Sequence, residues 1–197
     1  MNLCQNKSEL IFIRHSSPIK TNKLFGATDV KANIDDIKKI FTIRSKFRNI
    51  KQFYISPAKR CVQTFKKIWP ERNIIRRDKR LWEQNFGKWE GLNFSQIPNI
   101  GELSNMELSK YVIPEGESFN KMCDRVQPAI REISKKAMSK SSIIVCHSGT
   151  VRAAIALAVR SNSKSLQYKI DYLSITRIKV LKNGQFFMIS HNKNILN

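Results

Sequence analysis

Two short β-branched runs that each stop at a histidine constrain this chain more than any other feature: LIFIRHSSP at residues 10–18 and SSIIVCHSGTVR at residues 141–152. Each reads as a strand buried on both faces, as at the centre of a parallel sheet, ending in small and turn-forming residues. His15 and His147, two of the three histidines, therefore fall at strand carboxyl ends. Open α/β sheets bind ligands in the crevice beyond those ends, where loops and helix N-termini supply hydrogen-bond donors. Arg14 adjoins the first histidine and Arg152 follows the second, so a polyanion is the natural ligand.

The rest of the pattern extends this α/β reading. Residues 16–29 read as a loop, and 33–47 as a helix with Ile34, Ile37 and Phe41 at helical spacing. QFYIS at 52–56 is a second strand, and Pro57 opens a helix with Arg60 in its first turn. A weaker strand, NIIRR at 73–77, precedes the aromatic loop LWEQNFGKWEGL at 81–92, where Trp82, Phe86 and Trp89 read as packing residues. Residues 93–117 carry two prolines and two glycines and read as a cap over the site rather than part of the sheet. Ser118 is a candidate N-cap for an amphipathic helix with Phe119, Met122, Val126, Ile130, Ile133 and Ala137 on its apolar face and Pro128 inside it. The strand at 142–146 leads into a helix over about 150–159, and SITRIKVL and QFFMISH, joined through Asn183-Gly184, form a closing hairpin in which His191 reads as structural. The expected fold is a three-layer α/β sandwich, a mostly parallel sheet flanked by helices, in one domain over residues 1–197.

Composition limits the partners. The 36 Lys and Arg against 15 Asp and Glu give a formal charge of +21, which attracts phosphates, nucleic acid or acidic membranes. These cations are scattered over helical faces with no basic tail or aromatic ladder, so nucleic acid is not the expected partner. Cys4, Cys61, Cys123 and Cys146 are irregularly spaced and contain no Cys-x-x-Cys pair, so reduced thiols and a cytoplasmic location are expected. No apolar run has the length of a membrane span or the form of a signal peptide, and a homodimer is compatible with the sequence without being written in it.

Taken in order, IFIRHSSP, GATD at 26–29, YISPAKRCVQT, LWEQNFGKWEGL, PEGES, IIVCHSGTVRAAIA and DYLSITRI resemble the phosphoglycerate-mutase-like branch of the histidine phosphatase superfamily. The likeness covers nearly the whole chain, and WEQNFGKWEGL with DYLSITRI is most similar to α-ribazole phosphatases. The resemblance implies that His15 is the nucleophile, that Arg14, Arg60 and His147 cradle the phosphoryl oxygens, and that Glu83 donates the proton, with no cofactor or metal. The backbone N–H of Ser148 and the side chain of Asn22 are further candidate substrate contacts. The implied reaction is hydrolysis of a small phosphorylated metabolite through a phosphohistidine, with α-ribazole 5'-phosphate in cobalamin synthesis as the substrate suggested. Ser16 and Pro18 depart from the family, which usually has glycine and threonine there.

Other readings share the same residues. Cys146 and Arg152 have the Cys-x5-Arg spacing of cysteine-dependent phosphatases, but that pattern uses none of Arg14, His15, Arg60 or Glu83. Consecutive strand residues also point to opposite faces, so Cys146 and His147 diverge and Cys146 reads as a buried small hydrophobe. Glu90 competes with Glu83 as the carboxyl donor. A mutase, which returns the phosphoryl group to its substrate, and an inactive phosphate- or partner-binding module are the alternatives to a phosphatase.

Overall fold

The computed structural model describes residues 8–137 and 140–196; Cys4 lies outside them. Six strands form one sheet in the order β3-β2-β4-β1-β5-β6. They are β1 (Ser8–Arg14), β2 (Gln52–Ile55), β3 (Arg76–Arg77), β4 (Ser141–Cys146), β5 (Ile175–Val180) and β6 (Phe186–Lys193). β3, β2, β4 and β1 run parallel, and β5 and β6 close one side as an antiparallel hairpin. The six helices are α1 (Ile37–Lys46), α2 (Lys59–Ile68), α3 (Asn105–Lys110), α4 (Phe119–Lys136), α5 (Ser148–Val159) and α6 (Asn162–Ser165).

The strict two-residue period of the strands splits the core into two apolar layers. Leu10, Phe12, Ile144 and Cys146 face α4 and α5, whereas Ile11, Ile13, Ile143 and Val145 face α1 and α2. This is the expected three-layer sandwich. The chain leaves β1 toward one face and β4 toward the other, so these adjacent strands flank a topological switch point. Their register pairs Arg14 with Cys146, and the N–H of His15 donates to the Cys146 carbonyl at 2.9 Å. The two histidines are thereby set side by side.

The helix expected over 33–47 is shorter and turned. Asp36 caps it by accepting from the Lys39 N–H, and Asn33 instead donates its N–H to the Ser17 carbonyl. Ile40 and Ile43 are buried, whereas Ile37 and Phe41 are exposed. The segment carries two apolar stripes, and the one that faces the sheet also includes Phe47. The strand expected over 73–77 contracts to two edge residues, with Ile74 exposed. Phe119, Met122, Val126, Ile130 and Ile133 of α4 are buried as expected, Ala137 is the buried residue that caps its end, and the helix continues through Pro128. Residues 93–117 contribute no sheet strand.

The buried stripe of α1 makes a direct prediction. Ile40→Ala should destabilise the fold by about 2–5 kcal/mol, as for a buried aliphatic side chain, and Phe41→Ala should cost much less. Urea unfolding of the two variants is the measurement; equal losses would contradict the helix orientation.

Candidate functional site

His15 is buried, with 4% of its surface exposed, at the end of the central strand β1. Its Nδ1–H donates to the Ser16 carbonyl at 2.6 Å. A carbonyl only accepts, so the proton is fixed on Nδ1 and the Nε2 lone pair is left for chemistry. Burial, reinforced by the guanidiniums of Arg60 and Arg14, holds the imidazole well below its usual pKa, while the bond to Ser16 opposes this.

Ser16 needs no glycine-like backbone, because it is absent from the positive-φ residues. Its N–H donates to Thr64 Oγ1 at 3.0 Å, a bond open to any non-proline residue, and its hydroxyl adds one that glycine lacks, to the Asn33 carbonyl. The neighbouring Pro18 forms a bridge with Ala32.

His147 is fully buried, its ring centroid 5.0 Å from that of His15 in an edge-on arrangement. Arg60 Nε donates to its Nδ1 at 3.2 Å, so the other nitrogen carries the proton and donates to Ser56 Oγ at 2.8 Å. This ring too has its pKa held well below normal by burial, then by Arg60, His15 and Arg14.

Arg60, in the first turn of α2, is 0% exposed. Beyond His147 it donates through Nη1 to the Thr28 carbonyl at 2.9 Å and through Nη2 to the Gly26 carbonyl at 2.6 Å. Each terminal nitrogen has a second N–H, so the guanidinium retains donors for an anion.

Residues 170–174 frame Arg14. Its Nη1 donates to the Ile170 carbonyl at 2.6 Å, and Tyr172 lies over the guanidinium with its ring centre 3.7 Å from Cζ. Leu173, buried at a left-handed φ of 57°, donates its N–H to the Arg14 carbonyl at 3.1 Å. Arg14 Nε is buried without a hydrogen-bond partner. Such a donor is costly unless a ligand answers it. Tyr172, whose ring is also 5.7 Å from His15, escaped residue-by-residue reading although it lies in the DYLSITRI motif.

The start of α5 holds Glu83. The Gly149 N–H donates to both carboxylate oxygens at 3.1 Å, Ser148 Oγ–H to Oε2 at 3.0 Å, and the Gln84 N–H to Oε1 at 3.0 Å. Glycine is required here by space: a Cβ on Gly149 would lie 2.2 Å from Glu83 Oε1. Glu90 has a different task. Its carboxylate accepts from the N–H groups of Gly26, Ala27, Thr28 and Phe86, at 2.8 to 3.1 Å. Burial raises its pKa, but those hydrogen bonds outweigh burial and hold it below the usual range.

Asn22 is exposed and donates to Asn93 Oδ1 at 3.2 Å, joining the loop to the 93–117 segment rather than to either histidine. Arg152 is bonded through Nε to the Tyr168 carbonyl at 2.9 Å. Cys146 points into the opposite apolar layer from the histidines, and burial pushes its thiol pKa well above normal. A thiolate nucleophile has no support there.

The sheet and its paired strand-end histidines define a phosphoglycerate-mutase-like α/β protein. The chain belongs to the histidine phosphatase superfamily (branch 1), whose family profile matches residues 10–193. It is 25% identical over 130 residues to mouse (Mus musculus) 6-phosphofructo-2-kinase/fructose-2,6-bisphosphatase 1, covering 64% of this chain and 26% of that protein. The chain thus spans about a quarter of that relative. Phosphoglycerate mutase-like protein 4 of Arabidopsis thaliana is 25% identical over 158 residues, 74% of this chain and 69% of that one. A solved structure of a candidate alpha-ribazole-5'-P phosphatase from Escherichia coli K-12 superposes with a TM-score of 0.80 at 16% identity, over 94% of this chain and 96% of that one. Among the described residues no helix is long and apolar enough to cross a membrane.

The depressed histidines make stability depend on pH. Below about pH 6.5 the unfolded chain takes up protons on His15 and His147 that the folded chain refuses, so stability falls as pH drops. Each histidine contributes a slope of up to about 1.4 kcal/mol per pH unit. Urea unfolding between pH 7 and pH 5 should show this loss, and His147→Gln should reduce its slope.

Proposed function

We propose that this chain is a phosphomonoesterase that needs no metal and works through a phosphohistidine on His15. The observation that carries the reading is the state of His15: a neutral ring with Nδ1 tied to a carbonyl and its Nε2 lone pair unspent between two arginines. In the first step that lone pair attacks phosphorus, forming the P–N bond as the P–O ester bond breaks. The departing alkoxide takes a proton from the Glu83 carboxyl. In the second, water gives a proton to Glu83 and attacks phosphorus, the P–N bond breaks, and its electron pair returns to Nε2. Glu83 is thus reset for the next turnover.

Arg14 and the remaining N–H groups of Arg60 meet the charge that develops on the equatorial oxygens. Arg14 Nε, buried and unanswered within the protein, is suited to one of them. His147 borders the phosphoryl position and orients Arg60 through Nδ1. The Ser148 N–H, at the first position of α5, is a further donor. The substrate is a small phosphorylated metabolite, with residues 93–117 as the cap that selects it and Asn22, bonded to Asn93, at the start of that cap. The named activities of the relatives support a phosphoester substrate, and the Escherichia coli protein makes α-ribazole 5'-phosphate the first to try.

Phosphate release from p-nitrophenyl phosphate should persist with chelator present. His15→Ala should lower it by about 10³-fold or more and remove an acid-labile phosphoryl label from the protein, while Cys146→Ser should retain both. Dependence on Cys146 alone would overturn the assignment, and a stable label passed between phosphoglycerates would move it to a mutase. Gly149→Ala, by displacing the Glu83 carboxylate, should cut turnover of an alkyl phosphate by about 10²-fold. Steady-state kinetics on the folded variant read this directly.

A further inference from the structure

The hydrogen bonds of the Arg125 side chain, on α4, all go to the segment that carries Glu83 and to the carboxylate of Glu117. Arg125 Nη1 donates to the carbonyls of Arg80 at 3.0 Å and Trp82 at 2.8 Å, and its Nη2 donates to the carbonyl of Glu83 itself at 2.7 Å. One planar guanidinium thus gathers three carbonyls of a stretch that has no sheet partner to hold it. Glu117 holds the guanidinium from the other side, accepting from Nη2 at 2.5 Å. Glu117 also binds the next residues of the same loop: its Oε1 accepts from the Asn85 N–H at 2.9 Å, and its carbonyl accepts from Gln84 Nε2 at 2.9 Å. The fit is close, for a Cβ on Gly87, which lies at a φ of 47°, would come within 2.1 Å of the Pro114 carbonyl.

We infer that Arg125 and Glu117 form a positioning pair that sets the Glu83 carboxylate for proton transfer. The inference rests on the proposed role of Glu83 as proton donor and extends it to residues that touch neither His15 nor its arginines by any hydrogen bond described above. The side chain of Glu83 is aimed by α5, through Ser148 and Gly149, and its backbone is aimed by α4, through Arg125. Both ends of the residue are therefore fixed by helices, with the Gln84 N–H adding one bond from its own loop. Lysine in place of Arg125 keeps the charge but loses the planar fork that reaches three carbonyls.

The leaving group separates positioning of the acid from general structural support. An alkyl phosphate such as glycerol 2-phosphate needs a proton on its departing oxygen, whereas p-nitrophenolate departs far more readily without one. The wild type, Arg125→Lys, Glu117→Gln, Glu83→Gln and the Arg125→Lys/Glu83→Gln double variant are to be compared on both esters, with unfolding curves for each. Arg125→Lys should lose about 10-fold or more in kcat on the alkyl ester and much less on the aryl ester, with Glu117→Gln shifting in the same direction. In the Glu83→Gln background the Arg125 substitution should add little, since both act through one group.

Equal losses on the two esters, no loss on either, or additive losses in the double variant would overturn the inference. If Arg125→Lys does not fold, Glu117→Gln carries the same comparison. Absence of a leaving-group-dependent loss in Glu83→Gln would instead remove the acid role from Glu83. Such a loss in Glu83→Gln, without it in Arg125→Lys and Glu117→Gln, would sink the positioning pair alone.

Discussion

A guanidinium that is wholly inside the protein governs this site. Burying the guanidinium of Arg60 obliges the surrounding chain to supply acceptors for its N–H groups. The Gly26 and Thr28 carbonyls do so, and the N–H groups of the same short loop turn to the carboxylate of Glu90. Anion, peptide dipoles and cation therefore stand in series, and the pairing that a direct salt bridge would make is carried through the backbone. The loop cannot move without uncovering one charge or the other. Burial first, and then the charge of Arg60, hold the pKa of both histidines well below normal.

Arg14, Arg60 and Glu83 are each held by a part of the chain remote in sequence, unlike His15, which is tied to the carbonyl of Ser16. Arg14 is clasped by residues 170–174, Arg60 by the loop that Glu90 braces, and Glu83 between α4 and α5. None of these supports is the sheet itself. The sheet brings the strand ends together, and the loops then aim the side chains by hydrogen bonds to backbone groups, which leave little freedom of angle. The left-handed Leu173 belongs to this pattern, since a branched residue in that conformation persists only where its surroundings impose it.

The fold and the histidine pair were legible because strand period and abrupt strand ends are local signals, written in residues next to each other. The α4 stripe was legible for the same reason. The face of α1 was not: Ile37 with Phe41, and Ile40 with Ile43 and Phe47, are both acceptable helical spacings, and only contact with the sheet decides between them. The place of Glu83 ahead of FGKWEG already favours it over Glu90 in the sequence, but the task of Glu90 is not legible there, because the donors that occupy it lie mostly some 60 residues earlier in the chain. Tyr172, Arg125 and Glu117 went unremarked because aromatic, basic and acidic residues are common, and their partners are carbonyls, N–H groups or a guanidinium that no spacing rule announces. Ser16 was legible as a departure, but the bond its hydroxyl makes to the Asn33 carbonyl was not.

The place of β4 in the sheet has a consequence for how the protein comes into being. β4 lies between β1 and β2, although it follows both in the chain. A growing polypeptide thus carries His15, Arg14 and Arg60 long before it contains the strand that separates and aligns them. Until residues 141–147 arrive, two apolar strands have unpaired edges at the centre of the future sheet, and Arg14 still waits for residues 170–174. The site therefore closes only after residues 141–147 and 170–174 have been made, through contacts of long sequence separation, and the nascent chain must be kept from pairing its exposed edges elsewhere in the interval.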